Sequence, residues 1–148
     1  MKTTIAALVA VVLSGIAASG GSASAERSGK TLTARNSSYG KILFDERGFV
    51  LYAFTRDRRG GKSRCYGECA SAWPVYFKKG RPLRAGKGVR RKLIGTVRRK
   101  DGRRQITYNG RPLYYYVGDT SRGQVSCQNV FEFGGKWLVV RPNGKLVR

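Results

Sequence analysis

The sequence has no histidine and few acids, with 30 Lys and Arg against 8 Asp and Glu among its 148 residues. The missing histidine excludes Ser-His-Asp and Cys-His catalysis, histidine metal ligands and the usual proton switch near neutral pH. With only 3 cysteines, a tetrahedral thiolate site would also be incomplete. We therefore predict no catalytic residue, no cofactor and no metal, which favours a binding protein over an enzyme.

Long hydrophobic runs are also missing, apart from one near the N-terminus. Lys2 precedes an apolar stretch at 5–18, which is shorter than the roughly 20 residues of a membrane span. Ala23-Ser24-Ala25 then forms a small-x-small cleavage pattern. We predict a signal peptide over 1–25, cleaved after Ala25, and a secreted or extracytoplasmic protein with no transmembrane segment after cleavage. No cysteine lies near that site, so no lipid anchor is expected there.

The positive charge predicts the kind of partner. Only Lys2 is lost with the signal peptide, so the mature chain has 30 − 1 = 29 basic residues against 8 acids, a net charge of +21. Such a charge attracts anionic envelope polymers and lipid head groups, while no sequence pattern supports specific nucleic-acid binding. Loop 56–64 is basic and Gly-rich, and its cations are the candidates for polyanion binding: Arg56, Arg58, Arg59, Lys62 and Arg64.

Most of the remaining chain carries strand and turn signals. Polar residues 26–38 are predicted to form a flexible leader. Aromatic and β-branched runs flank Asp101-Gly102 and Asn109-Gly110, which are tight-hairpin dipeptides. Two further hairpins are predicted, one within 39–54 and one around 142–144.

One segment has helical rather than strand spacing. Cys65, Cys69 and Trp73 follow each other at intervals of four, and Pro74 ends the run. One short helix is therefore predicted near residues 65–73.

A motif recurs along the chain at a constant offset, since 114 − 52 and 127 − 65 are equal. The paired positions are Tyr52 and Tyr114, Phe54 and Tyr116, Asp57 and Asp119, and Cys65 and Cys127. Two copies are too few for a solenoid. We predict a mainly β fold in which a pseudo-twofold pair of antiparallel β units shares one core, in a single domain over 39–148. The units span about 39–77 and 93–147, with a connector at 78–92, and the repeated aromatic and acidic residues are interpreted as structural.

These residues resemble a known family. Tyr52-Ala53-Phe54-Thr55-Arg56-Asp57, the segment from Cys65 to Pro74, and the segment from Tyr108 to Asp119 are similar to the bacterial secreted-repeat family, predicted lipoproteins with a repeated Tyr-x-[Phe/Trp/Tyr]-x-x-Asp motif. The resemblance implies export and a tandem-repeat domain, and no established activity. The chain departs from the family in having no lipoprotein cysteine, and Cys127 is not part of the commonest pattern.

The three cysteines leave several pairings open. Two cysteines four apart on a regular helix have nearly parallel Cβ bonds, so a bridge between them needs distortion. We expect Cys127 to bond to Cys65 or Cys69, with a long loop that contributes roughly 3–5 kcal/mol. The alternatives are a Cys65–Cys69 bond with Cys127 free, or a redox or metal role. An extracytoplasmic thiol/disulfide redox protein is accordingly the second functional hypothesis.

Overall fold

The computed structural model describes residues 30–80 and 82–148, so the predicted signal peptide lies outside the described residues. The described chain contains nine strands, one α-helix and a 3-10 turn at Arg91–Leu93. The elements are β1 Thr31–Ser37, β2 Gly40–Phe44, β3 Tyr52–Phe54, α1 Glu68–Ala72, β4 Arg84–Ala85, β5 Ile94–Arg98, β6 Arg104–Tyr108, β7 Arg111–Tyr114, β8 Val130–Glu132 and β9 Gly135–Val139.

The strands form two sheets, which confirms the prediction of a mainly β fold. One sheet has three strands in the order β2-β1-β4, and the other has six in the order β5-β6-β7-β3-β9-β8. At the centre of the larger sheet, β3 of the first repeat pairs antiparallel with β7 of the second, and Tyr52 stands opposite Tyr114. The two repeats are thus joined through their corresponding strands.

Strand β1 lies where a flexible leader was predicted, so that prediction is wrong for residues 31–37. β1 pairs with β2, with Thr33 opposite Phe44, and it buries Leu32 and Ala34. Polar residues alternate with these two apolar side chains, which hides the strand in the sequence. The repeat offset could have revealed it, because β5 shifted back by that offset falls within β1.

The first predicted hairpin forms only next to its turn. After the turn at Asp45–Gly48, Asp45 N donates to Phe49 O at 2.9 Å and Leu51 N donates to Leu43 O at 3.1 Å, which makes one antiparallel bridge between Phe44 and Val50. The longer ladder of β2 is with β1, which was not predicted. The chain then passes into the larger sheet at β3.

The later hairpins are confirmed. β5 and β6 pair around Asp101-Gly102, with Ile94 opposite Tyr108. β6 and β7 are joined at Asn109 and Gly110, which have φ values of 51° and 73°. After β9, the predicted turn at 142–144 brings Leu146 back to a single bridge with Val140.

The helix is shorter than predicted. α1 covers only 68–72, because Gly67 before it has φ 55°, a left-handed conformation that cannot continue a right-handed helix. Cys65 therefore lies outside the helix, in a segment without regular secondary structure, while Cys69 lies within the helix.

Alternate side chains of the larger sheet enter two buried clusters. Tyr52, Phe54 and Trp137 belong to one cluster, and Ala53 and Leu113 belong to the other. Because successive side chains of a strand point to opposite faces, the sheet is buried on both faces. Each cluster takes residues from both repeats, so neither repeat has a core of its own.

Candidate functional site

The repeated tyrosines and aspartates form two crossed hydrogen bonds. Tyr52 Oη donates to Asp119 Oδ2 at 2.7 Å, and Tyr114 Oη donates to Asp57 Oδ2 at 2.6 Å. All four side chains are buried, and burial is the main cause that raises the pKa of both tyrosines. Each acid is thus bonded to the tyrosine of the other repeat.

The second carboxylate oxygen of each aspartate accepts a hydrogen bond from a backbone N–H seven residues later, which closes a loop. Arg64 N donates to Asp57 Oδ1 at 2.7 Å, and Ser126 N donates to Asp119 Oδ1 at 2.9 Å. Arg64 and Ser126 are themselves related by the repeat offset. Burial raises the pKa of Asp57, although the bonds from Tyr114 and from the Arg64 N–H act in the opposite direction. The two acids are therefore occupied in holding loops and tyrosines.

Phe54 and Tyr116, the other paired aromatic residues, form a stack of four rings with the two tryptophans. Tyr116 packs on Trp73 with ring centres 4.6 Å apart, Trp73 stacks on Trp137 at 3.9 Å, and Trp137 stacks on Phe54 at 4.2 Å. The two indole planes are 3° from parallel. Rings of the two repeats thus alternate along the stack, and these residues serve as core.

Loop 56–64, whose charge predicts polyanion binding, is held in place at several points. Besides the bond to Asp57, Gly60 N donates to Gly110 O at 2.7 Å, and Arg56 Nη1 donates to Phe133 O at 3.0 Å. These bonds connect the loop to two different turns of the second repeat. Its cations are therefore presented by an ordered backbone.

Arg99 supports the end of the loop through buried hydrogen bonds. It is 4% exposed and donates to Ser63 Oγ, Gln105 Oε1 and the carbonyl of Cys65, at 2.7, 2.8 and 2.7 Å. Its guanidinium lies 4.2 Å from the ring centre of Tyr66. No sequence signal predicted Arg99 as a support of the loop, because it is 36 residues from Ser63 in the chain.

Loop 56–64 borders an open cavity of about 410 Å³, which we call the basic cavity. It is lined by exposed cations and by Gly61, Ser63 and the half-buried Tyr66. The cations are Arg56, Arg58, Lys62, Arg64 and Lys100. Among the residues that line it there is no carboxylate.

The basic cavity brings together four of the five predicted polyanion-binding residues. Arg59 is the exception, since it lines a different cavity and donates from Nη2 to Asn109 Oδ1 at 2.6 Å. Lys100 was missed, because it comes from the turn between β5 and β6 and no sequence signal connects it to the loop.

Most acids of the described chain are engaged in internal contacts. Asp45, Asp57 and Asp119 are buried, Glu132 accepts a bond from Trp73 Nε1 at 2.9 Å, and Asp101 pairs with Arg103 at 2.7 Å. Within residues 30–80 and 82–148, salt bridges involve only three basic residues, Arg47, Arg99 and Arg103. The accessible surface is therefore left with cations that no carboxylate pairs.

The expected long-range disulfide is wrong. The bond joins Cys65 to Cys69, whose Cα atoms are 5.3 Å apart, and Cys127 is free and buried. Two cysteines four apart within one regular helix would have nearly parallel Cβ bonds, which disfavours a bridge. That geometry does not apply here, because Cys65 precedes the helix. Cys69 has no counterpart in the second repeat, so only the first repeat can form this bond.

Cys127 has the surroundings of a core thiol. Burial raises its pKa, while a hydrogen bond from Tyr116 has the opposite, smaller effect. All three cysteines belong to the same buried cluster. Among the residues that the structure describes, no cluster of His, Cys, Asp and Glu could hold a metal ion.

Comparison with known proteins identifies the family. The profile of a family described as "secreted repeat of unknown function" matches residues 33–76 and 95–141, which are 44 + 47 = 91 of the 148 residues. The starts of the two matches differ by the same offset as the motif. The chain belongs to this family of secreted repeat proteins. No curated protein and no solved structure matches it, and no helix of the described chain is long and apolar enough to cross a membrane.

Proposed function

We propose that this protein is a secreted, non-enzymatic binding domain that associates with an anionic polymer of the cell envelope through the basic cavity. The observation that carries the proposal is the grouping of Arg56, Arg58, Lys62, Arg64 and Lys100 around one cavity that no acid lines. Exposed like charges on one surface attract and concentrate a polyanion.

The order of the loop supports the same function. A binding surface that is already ordered loses less conformational entropy when it binds its partner. The bonds from Gly60 to Gly110 and from Arg64 to Asp57 fix the loop at its middle and its end. Tyr66 adds a half-buried ring at the edge of the cavity, against which the sugar or glycerol part of a polymer can pack.

The test is the salt dependence of binding to a purified poly(glycerol phosphate) chain. The variant Arg58→Gln/Lys62→Gln/Arg64→Gln removes three cations of the cavity. Its matched control, Arg84→Gln/Lys87→Gln/Arg122→Gln, removes three exposed cations that do not line it. If each contact releases counterions as it does on nucleic acids, the cavity variant lowers the slope of log K against log salt by about 2–3. An equal loss in both variants would show attraction by net charge alone.

The proposal includes cleavage of the N-terminal segment and the folding of the remaining chain as one domain. Residues 1–25 direct export and are removed after Ala25, without a lipid anchor, so the mass of the mature protein should correspond to a chain that begins at Glu26. The remaining chain is one domain, whose first repeat begins with β1 rather than at the predicted residue 39. A single unfolding transition followed by both fluorescence and circular dichroism would test this.

The second hypothesis, thiol/disulfide exchange, has less support. An exchanging thiol must be accessible and carry thiolate near neutral pH. Cys127 is buried and its pKa is raised. We expect iodoacetamide to leave native Cys127 unmodified at pH 8 and to label it after unfolding in urea. Rapid labelling of the native protein would restore the redox hypothesis.

A further inference from the structure

A second cationic cavity, of about 400 Å³, lies between loop 56–64 and the chain's last turn. Four cations line it: Arg59, Arg111, Lys145 and Arg148. Arg59 comes from the loop, Arg111 begins β7, and the other two follow the turn after β9. Its lining has no carboxylate side chain and shares no residue with the basic cavity. We call it the second cavity.

The second cavity has one cation already fixed in position. Arg59 donates from Nε to Asn109 O at 3.1 Å and from Nη2 to Asn109 Oδ1 at 2.6 Å. Asn109 is itself held, because its Nδ2 donates to Gly144 O at 3.3 Å. The guanidinium of Arg59 is therefore oriented without any ligand. This arrangement lowers the cost of binding an anion there.

The cations of the second cavity crowd one another. Arg111 is half-buried. Burial lowers its pKa, and the charges of Arg59 and Arg148 lower it further, against a smaller opposing effect of Asp57. Like charges brought together at a partly buried site disfavour the charged state of each. An anion bound among them would relieve this repulsion.

We propose that the second cavity binds a tetrahedral oxyanion group, a phosphate or sulfate ester, of the same polymer that occupies the basic cavity. A guanidinium presents its donors in a fixed fork that matches such oxygens. Three arginines from three segments suit a group whose oxygens point in several directions better than a flat carboxylate. This inference rests on the proposed function and specifies its substrate class: a linear polymer that repeats such groups and crosses loop 56–64, which contributes cations to both cavities.

The test uses sodium tripolyphosphate and long-chain inorganic polyphosphate, titrated into the full chain by calorimetry. We expect two sites per chain for tripolyphosphate in the wild type and one in the variant Arg111→Gln/Lys145→Gln. For the long chain, loss of one of two linked sites should lower the affinity by about tenfold or more. The matched control is Arg84→Gln/Lys87→Gln, which removes the same charge elsewhere and should keep two sites.

A comparison of polymers tests the ligand's chemical class, and a single substitution tests whether the double variant is misfolded. Binding of dextran sulfate should depend on Arg111 and Lys145 in the same way as binding of polyphosphate. Poly-glutamate, whose charged groups are carboxylates, should bind more weakly. Equal binding of poly-glutamate would overturn the assignment to a tetrahedral oxyanion. Lys145→Gln alone, at an exposed position, should weaken tripolyphosphate binding to one of the two sites without lowering Tm.

The outcomes separate the two proposals. A single wild-type tripolyphosphate site that is retained in Arg111→Gln/Lys145→Gln, or two sites in that variant, would overturn the second cavity and leave the basic cavity untouched. Unchanged polymer binding by Arg58→Gln/Lys62→Gln/Arg64→Gln would overturn the proposed function itself.

Discussion

Tyr52 and Asp119, which are 67 residues apart in the chain, are joined by a hydrogen bond of 2.7 Å between buried side chains. The counterpart bond joins Tyr114 to Asp57 at 2.6 Å. Each repeat therefore supplies the donor that the other repeat's buried acid requires. We therefore expect the two repeats to fold together, which leads to the first prediction.

Removing one hydroxyl should destabilise the whole domain. Tyr52→Phe leaves Asp119 Oδ2 without its buried donor, which should lower the free energy of unfolding by about 1–3 kcal/mol. Urea denaturation measures the change. Tyr39→Phe is the control, because Tyr39 is only partly buried and lies outside the motif. Equal losses in the two variants would contradict a role for the bond.

The two stacked tryptophans should differ in their response to the same substitution. Trp73 Nε1 donates to Glu132 at 2.9 Å, whereas Trp137 Nε1 is buried with no hydrogen-bond partner in the described chain. Trp73→Phe therefore removes a bond as well as ring area, and Trp137→Phe removes ring area alone. We expect Trp73→Phe to cost about 1 kcal/mol more than Trp137→Phe in urea unfolding. The reverse order would contradict the role given to the Glu132 bond.

Reducing the disulfide should destabilise the fold only moderately. Cys65 and Cys69 close a loop of four-residue separation, for which the chain-entropy model gives about 2 kcal/mol, less than for the long loop expected from sequence. Unfolding in urea with and without dithiothreitol measures this difference. Cys65→Ala/Cys69→Ala should match the reduced protein and show no further effect of reductant. A protein that unfolds completely on reduction would contradict the prediction.

The pH dependence of stability should show the burial of Asp57. Its pKa in the folded protein is raised above the usual 3.8, so the folded chain holds this proton to a higher pH than the unfolded chain does. Ionisation of Asp57 therefore makes stability fall as pH rises from about 3.8 to the folded pKa. Relative to Asp57→Asn, the wild type should lose stability across this window when unfolding is followed from pH 3.5 to 7.

Asp101 supplies the control of opposite sign. A hydrogen bond from Arg103 lowers its pKa, so its contribution is present above the unfolded pKa and is lost as pH falls. Relative to Asp101→Asn, the wild type should therefore gain stability as pH rises. These assignments would be contradicted if the stability difference between wild type and variant changed with pH in the same direction for Asp57→Asn and Asp101→Asn.

The parts of the fold that sequence predicted best depend on local chemistry. Asn109-Gly110 and Asp101-Gly102 favour tight turns regardless of their surroundings, and both connect the predicted strands. The repeat was visible because Tyr, Asp and Cys recur in one register. β1 was missed because its exposed residues are polar and its pairing partner β2 also had a plausible alternative in β3.

The candidate site was only partly predictable. The charge of loop 56–64 was evident, but its division between two cavities depends on the bonds of Arg59 to Asn109, 50 residues away. The turn between β5 and β6 supplies both Lys100, which lines the basic cavity, and the buried Arg99, which donates to Ser63 of the loop. The disulfide was mispredicted because Gly67, with φ 55°, delays the start of the helix until after Cys65, so only Cys69 is helical. Each miss is a contact set by the tertiary fold.

The pairing of Tyr52 with Tyr114 across β3 and β7 has a consequence for the ancestry of the domain. A chain with a single repeat could satisfy its tyrosine and aspartate only with a second molecule, as a symmetric homodimer whose axis passes between the two tyrosines. In a homodimer, each amino-acid substitution occurs in both subunits. Fusion into one chain frees the halves to diverge, which is how Arg64 can face the basic cavity while its counterpart is Ser126, and how Cys65 can form a disulfide while Cys127 remains a thiol.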